Sequence, residues 1–594
     1  YENGIYGGSS VYGTGNPVAL LKDYGHIRNV YGTLLADLSI RQDLSALTKG
    51  LAAEASVSFD NIGGMNETTN KEYRYMNSNA SITSDGTLVT TPAIYGTDSE
   101  TLGHNQPFER LMLRSDFQAK VDYNRTFGKH QVGGALIYDM QSVVKNGRNN
   151  SQKNQSVLVN ATYTYDNRYS LNAVFNRSGS AYLPDGDKYS NYPAVSAAWI
   201  VSNEAFMEKV TPINLFKIRA SYGLSGWDGN LSHELWRQSY GSGGAGYNFG
   251  VNAGGQSGGS EGDLPVIGLV AEKSQKATFG FDLAAFDNRL NATVEGFYEK
   301  RSDILVSGAN STSGIIGITV GQVNEGIYKY KGLDASLSWN DKIGDFHYGI
   351  GASMSYLNTE VVNVNQAYQE YDYLYTKGNR IGQMYGLEAI GFFNSQQEIN
   401  NSPLQTFSDV APGDVKYKDQ NGDNRIDEKD VVKMFGSSVP RFYFGFNLNF
   451  SYKRLELSAD FQGMTGVTVS LLNSPLYSPL VSNGNISNTF LNEEISWTPE
   501  NKANATMPRL TTQENLNNYR ASSLWYRDGS FLKLRNLLVA YTFPKSQTRF
   551  ADLKVFVQGT NLFSLDNLHF ADPEQLGIAY PSTRSYWAGI KLNF

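Results

Sequence analysis

The residues best suited to chemistry lie in one short stretch. Asp419, Asn421, Asp423, Asp427 and Asp430 stand at positions 1, 3, 5, 9 and 12 of a calcium-loop pattern. Arg425 falls at position 7, where only a backbone carbonyl is needed. A hard cation such as Ca²⁺ takes about six to eight oxygens, and this spacing wraps several carboxylates around a single ion. Ile426 at position 8 fits the apolar anchor of such a loop. Two residues depart from the pattern. Position 6 is Asn424 where glycine is usual, although Asn accepts left-handed geometry, and position 12 is Asp430, shorter than the usual glutamate. The expectation is a structural Ca²⁺ site in a long loop, doing no catalysis. The alternative is a polar turn rich in Asp and Asn.

Other matches to chemistry are weaker. Gly241-Ser242-Gly243-Gly244-Ala245-Gly246 fits a dinucleotide fingerprint and Gly255-Gln256-Ser257-Gly258-Gly259 fits a nucleophile elbow. Both sit in one glycine-rich tract without the strand–turn–helix pattern that gives those motifs their meaning. The six histidines (His26, His104, His130, His233, His347 and His569) form no H-x-H or H-x-x-x-H pair, and there is no cysteine, which excludes thiolate zinc and disulfides. Glu295 and Glu299 face the same side of one predicted strand and read as acidic lining before they read as an acid–base pair. No catalytic residue is expected.

The elements that would carry these residues are strands. Every second residue is apolar or glycine in Val30, Gly32, Leu34, Ala36, Leu38, Ile40, and again in Leu51, Ala53, Ala55, Val57, Phe59. Leu111, Leu113, Phe117, Ala119, Val121 and Tyr123 repeat the pattern opposite Arg114, Asp116, Lys120 and Asp122. Such segments are apolar on one face and polar on the other. Several hold the alternation for about 10–14 residues, against about 5–6 for an average soluble strand. Aromatics reach 13%, charged residues only 18%, and the net charge is −7 with no basic face, which argues against a nucleic-acid partner. There is no run of about 18 apolar residues that would make a membrane helix. The pattern predicts an all-β protein, a transmembrane antiparallel β-barrel with its apolar face in outer-membrane lipid.

Short links at Asp43–Gly50, Thr126–His130, Asp166–Arg168, Phe286–Arg289, Asn340–Asp345 and Lys453–Arg454 alternate with long ones. The largest predicted insertions are about 61–110, 226–274, 360–440 and 465–528. Short periplasmic turns and long extracellular loops are the outer-membrane arrangement. The count is about 17 strands. Single-chain bacterial barrels have even counts, so the expectation is that further strands lie upstream and that a sheet of this segment alone has edges left to pair.

Particular residues resemble a known family. Asn16-Pro17-Val18-Ala19-Leu20, Asn191-Tyr192-Pro193-Ala194-Val195-Ser196-Ala197-Ala198-Trp199 and Lys217-Ile218-Arg219-Ala220-Ser221-Tyr222-Gly223 resemble barrel motifs of the SusC/RagA family of TonB-dependent outer-membrane transporters. Pro412-Gly413-Asp414-Val415-Lys416-Tyr417 running into Asp419-Gln420-Asn421-Gly422-Asp423, Asp528-Gly529-Ser530-Phe531-Leu532-Lys533-Leu534-Arg535-Asn536-Leu537, and Tyr580-Pro581-Ser582-Thr583-Arg584-Ser585-Tyr586 do so as well. The resemblance implies a barrel of about 22 strands, of which this chain is the C-terminal part, with a plug and TonB box upstream. It also implies import of nutrient oligomers, glycans first and oligopeptides second, under a SusD-like surface lipoprotein and powered through TonB-ExbB-ExbD. That places the protein in the outer membrane of a Bacteroidetes-like Gram-negative cell. A passive porin is the rival reading, and a barrel-type outer-membrane enzyme stands behind it.

Overall fold

The computed structural model describes residues 5–8, 16–83, 85–145, 151–232, 234–248, 255–308, 315, 317, 320–473, 495–511, 515–568, 571–576 and 582–594. His233, His569, Tyr580, Pro581 and part of the predicted 465–528 insertion lie outside the described residues. Long strands following one another in chain order, each antiparallel to the next, make a barrel-type sheet. The predicted alternating runs are all strands: Gly25–Asp43, Leu51–Asn70 and Phe108–Phe127 contain the three quoted above. Counting the long strands of this sheet among the described residues gives 17, the number the alternation implied.

Two compact units divide the chain: Tyr1–Asp122 with Ala135–Leu158 and Ser178–Ala181, and Tyr123–Gly134 with Val159–Arg177 and Tyr182–Phe594. In the first, Gly25–Asp43 is hydrogen-bonded to Leu51–Asn70 without a register break from Gly25↔Asn70 to Asp43↔Ala52. Every residue of Gly25–Asp43 is exposed. The Asn16–Leu20 motif is the start of a short helix, Pro17–Lys22, rather than strand. Asn16 caps it by accepting from the backbone N–H of Val18 and Ala19, and Pro17 takes the first helical position, where no N–H is needed.

The strands wholly within the second unit run from Tyr189–Ile200 to Ser585–Asn593, the last being bonded to Asp552–Asp566. Several of the short links are tight turns that use left-handed residues. Asp166 and Asn167 both have positive φ (51° and 53°), as a two-residue hairpin turn matching strand twist requires. The strand predicted to end near Asn340 continues to Ile343, so that turn is only Gly344–Asp345. The strand Phe346–Asn363 runs three residues past the predicted loop start, and Phe442–Tyr452 begins just beyond the predicted end, which leaves 364–441 as the largest insertion.

The apolar face points outward. Along Tyr189–Ile200 exposed and half-buried residues alternate strictly, and the exposed set includes Tyr189, Val195 and Trp199 at 43, 46 and 38%. Leu171 and Phe175 on Tyr169–Ser180 repeat this. A protein surrounded by water covers such a face; one surrounded by lipid presents it. At the short-turn rim Tyr169 and Trp199 stack, and both donate to the carboxylate of Glu204, at 2.6 and 3.0 Å. Those bonds, Tyr169 foremost, hold the Glu204 carboxyl below its ordinary range. An aromatic girdle anchored by a carboxylate suits a membrane interface.

Candidate functional site

The polar face is organised by register. Asn291, Ser338, Gly351, Asn447, Asp460 and Asn536 are successive cross-strand partners on six neighbouring strands of the second unit. A parallel row joins Lys217, Asp282, Thr293, Ser336 and Ser353. Residues from both rows line a recess of about 590 Å³. Side chains directly opposite one another are close enough to interact, and they do. Lys217 lies 3.3 Å from Asp282, Thr293 donates to Asp282 at 3.1 Å, and Arg219 pairs with Glu295. Glu299 accepts from Ser274 and Arg301 at 2.8 and 2.6 Å. Glu295 and Glu299, predicted as a shared acidic lining, therefore each have their own cation. In the first unit Arg41 forms a bidentate pair with Asp122 at 3.0 and 2.9 Å and also reaches Glu54, while Arg114 pairs with Asp116. Cations are shared between carboxylates in both units: Arg41 meets Glu54 and Asp122, and Arg219 meets Asp282 and Glu295.

The long insertions of the second unit fold against one another. Asp414, fully buried, accepts from the side-chain amides of Asn515 and Asn518 at 3.0 and 2.9 Å and from Ala411 N–H at 2.7 Å. The Arg509 guanidinium lies 2.7 Å from the same carboxylate. Gln405 donates to Asn517, Tyr417 donates to the Asn517 carbonyl at 2.7 Å, and Trp525 donates to that of Asn518. Burial pushes the Tyr417 hydroxyl pKa upward and that of Tyr519 up to about 12. Leu387, Val415, Tyr417 and Ile426 form the apolar core of this assembly. Gly413 is required here: its φ is +94°, and a Cβ would stand 2.5 Å from the Trp497 ring. The sequence offered the Pro412–Tyr417 motif but no sign of its asparagine partners about a hundred residues on.

The Asp419–Asp430 loop lies entirely within the described residues. Asn424 is left-handed (φ 61°), as position 6 demands, and Ile426 is fully buried. The side chains are turned inward to the loop's own amides. Asp419 accepts from Gly422 and Asn424 at 2.7 and 2.9 Å, and Asp423 from Arg425 at 2.9 Å. Asn421 accepts from Asp423 at 3.0 Å and Asp427 from Lys429 at 2.8 Å, while buried Asp430 accepts from Gln420 and Asp427 at 2.7 and 2.8 Å. Among the described residues no three acidic or imidazole groups converge as metal ligands. The donor chemistry is that of a hard-cation loop, and the side-chain geometry is that of successive Asx turns.

The enzyme-like motifs lose their context. Gly241–Gly246 lies on the strand Tyr240–Asn248 and Gly255–Gly259 on its antiparallel partner Gly255–Glu261, so each motif is strand where its chemistry needs a turn into a helix. His130 is a rim residue 2.7 Å from the Tyr163 hydroxyl.

Long antiparallel strands with an apolar outer face and an ion-paired polar face define a membrane β-barrel. No protein-family model matches the chain. It is 28% identical over 461 residues to TonB-dependent receptor P26 of Formosa agariphila, covering 73% of this chain and 45% of that protein. With TonB-dependent receptor SusC of Bacteroides thetaiotaomicron it shares 22% identity over 467 residues, 73% of this chain and 43% of SusC. The RagAB peptide transporter structure superposes with a TM-score of 0.71 at 17% identity, over 95% of this chain and 62% of that one. The resemblance to the SusC/RagA family of TonB-dependent transporters holds in sequence relatives and in fold alike. The chain spans about half the length of the curated relatives it matches.

Proposed function

We propose that this chain is the barrel portion of an outer-membrane importer of nutrient oligomers, working by transport rather than catalysis. The observation that carries the reading is the joint one of outward apolar strands, a polar face of paired charges, and relatives that are TonB-dependent receptors. In this reading TonB-ExbB-ExbD drives the cycle through a plug belonging to the whole protein. A SusD-like surface lipoprotein covers the long loops, whose folded assembly around Asp414 offers a preformed docking platform. Oligosaccharides are the first substrate class and oligopeptides the second. Co-purification in mild detergent is expected to bring down a surface lipoprotein, and a deletion strain is expected to lose growth on defined oligosaccharides and keep growth on peptides. Unchanged growth on both, with no co-purifying lipoprotein, would leave the passive porin as the better account.

The loop Asp419–Asp430 is proposed to take Ca²⁺ as a structural ion, using Asp419, Asn421, Asp423, Asp427 and Asp430 side chains with the Arg425 carbonyl. Its hard oxygens, left-handed Asn424 and buried Ile426 support this, and an ion would have to compete with the amides those carboxylates now accept from. Asp423→Ala is expected to raise protease cleavage between 419 and 430 several-fold, with chelator reproducing the effect in the parent protein. Cleavage indifferent to chelator, with no calcium by elemental analysis, would reduce the loop to a polar turn.

A further inference from the structure

Lys533 and Arg535 occupy an unusual place on the strand Phe531–Phe543. In an unbroken strand Lys533 and Asn536 would face opposite sides. Here the register slips: Lys533 pairs with Gln462, Leu534 with Phe461, and Asn536 with Asp460, so Arg535 is the extra residue of a bulge. The neighbouring strand is irregular at the same level, where Asn561 has φ 52°. The result aims both cations at the polar face. Arg535 donates to Gln462 at 2.9 Å and to Asn561 at 3.1 Å. Bulges re-aim side chains in this way next to functional sites.

Both cations are engaged by one turn of the link between the last two strands. Gln575 N–H donates to the Asp572 carbonyl, and Glu574 N–H to the Asp572 carboxylate, each at 2.9 Å. That turn presents two carboxylates. Lys533 Nζ lies 2.6 Å from Asp572 Oδ1 and 2.6 Å from Glu574 Oε2, and Arg535 reaches Glu574 Oε1 at 2.5 Å. A single carboxylate thus spans the pair, one oxygen to each cation. The Lys533 side chain is only 5% exposed. Removing the turn without replacement strands a buried ammonium, which is strongly unfavourable, whereas exchanging it for another anion keeps the charge compensated.

We infer that Lys533 and Arg535 form a carboxylate-binding point on the polar face, occupied at rest by Asp572 and Glu574, which an acidic oligomer displaces by exchange. The inference rests on the transport reading and deepens it, because neutral oligomers cannot make that exchange. The ligand chemistry is an anionic group on an oligomer, from either an acidic glycan or an acidic peptide.

The test uses the full-length protein in detergent with four probes: tetragalacturonate, tetraglutamate, and the neutral maltotetraose and tetra-alanine. Binding is read by calorimetry, and the 571–576 turn by hydrogen exchange. An acidic probe is expected to bind and to speed exchange in the turn at least several-fold, and the two acidic arms identify the source. Glu574→Gln, which keeps the shape and removes the competing charge, is expected to tighten acidic-probe binding about tenfold, equivalent to about 1.4 kcal/mol. Lys533→Gln paired with Asp572→Asn, which avoids a stranded charge, is expected to abolish the acidic preference. Equal binding of acidic and neutral probes, or acidic binding indifferent to Glu574→Gln, would overturn the inference and leave transport intact. Loss of all oligomer binding and uptake would instead count against the transport reading itself.

Discussion

Asp414→Ala is expected to release the two longest insertions from one another, at a cost of about 3–5 kcal/mol to their folded assembly. The carboxylate is fully buried and collects donors from Asn515, Asn518 and Ala411 beside the Arg509 guanidinium. Alanine leaves those donors without an acceptor and the guanidinium without its counter-charge, and each buried unsatisfied group adds its own desolvation cost. Asp414→Asn should be milder, because an amide oxygen still accepts from one asparagine while the charge opposite Arg509 is lost. Limited proteolysis with mass mapping should show new cuts in 383–436 and 495–528. The strands should stay folded, since their hydrogen bonds are made with one another. A lipoprotein that docks on this assembly should be lost from co-purification in the same variant. An unchanged cleavage pattern would show that the apolar core around Val415 and Tyr417 holds the loops without the polar network.

The second large effect separates the two faces of one strand. Val195→Lys places a charge on the exposed apolar face near the middle of Tyr189–Ile200 and is expected to destabilise the protein in lipid vesicles by about 2–4 kcal/mol. Ser196→Lys, one residue on, falls on the polar face in register with Ser221, which itself bonds Thr278 at 2.7 Å. It should cost far less, because a lysine there meets polar neighbours. Urea unfolding in vesicles gives the comparison directly. Equal costs at the two positions would mean that Val195 does not meet lipid.

Much of this architecture is a local property of the chain. Whether a strand residue faces one side or the other follows from a two-residue period, so Val195 and Ser196 could be assigned to opposite faces from sequence. The turns were legible for the same reason: Asp166-Asn167 and Gly128 are residues that accept positive φ between alternating runs. Asn424 and Ile426 were readable as a left-handed position and a buried anchor because both follow from spacing within one loop. The helix at Pro17–Lys22 was missed, although Asn16 followed by Pro17 is a capping signal that was there to be used.

What the tertiary structure alone decided is which residues stand opposite one another. Alternation assigns Arg41 and Asp122 to a polar face, but their bidentate pair joins positions 81 apart, and only the strand registers bring them together. The Asp414–Asn515 bond spans 101 positions, between insertions with no shared periodicity. Arg535 turns onto the polar face only because a bulge interrupts the alternation that would have placed it, and a bulge is fixed by neighbouring strands. Facing is set by the backbone geometry of adjacent residues and is visible in alternation, whereas partnership is set by hydrogen-bond registers that accumulate from strand to strand and exist only in the folded chain.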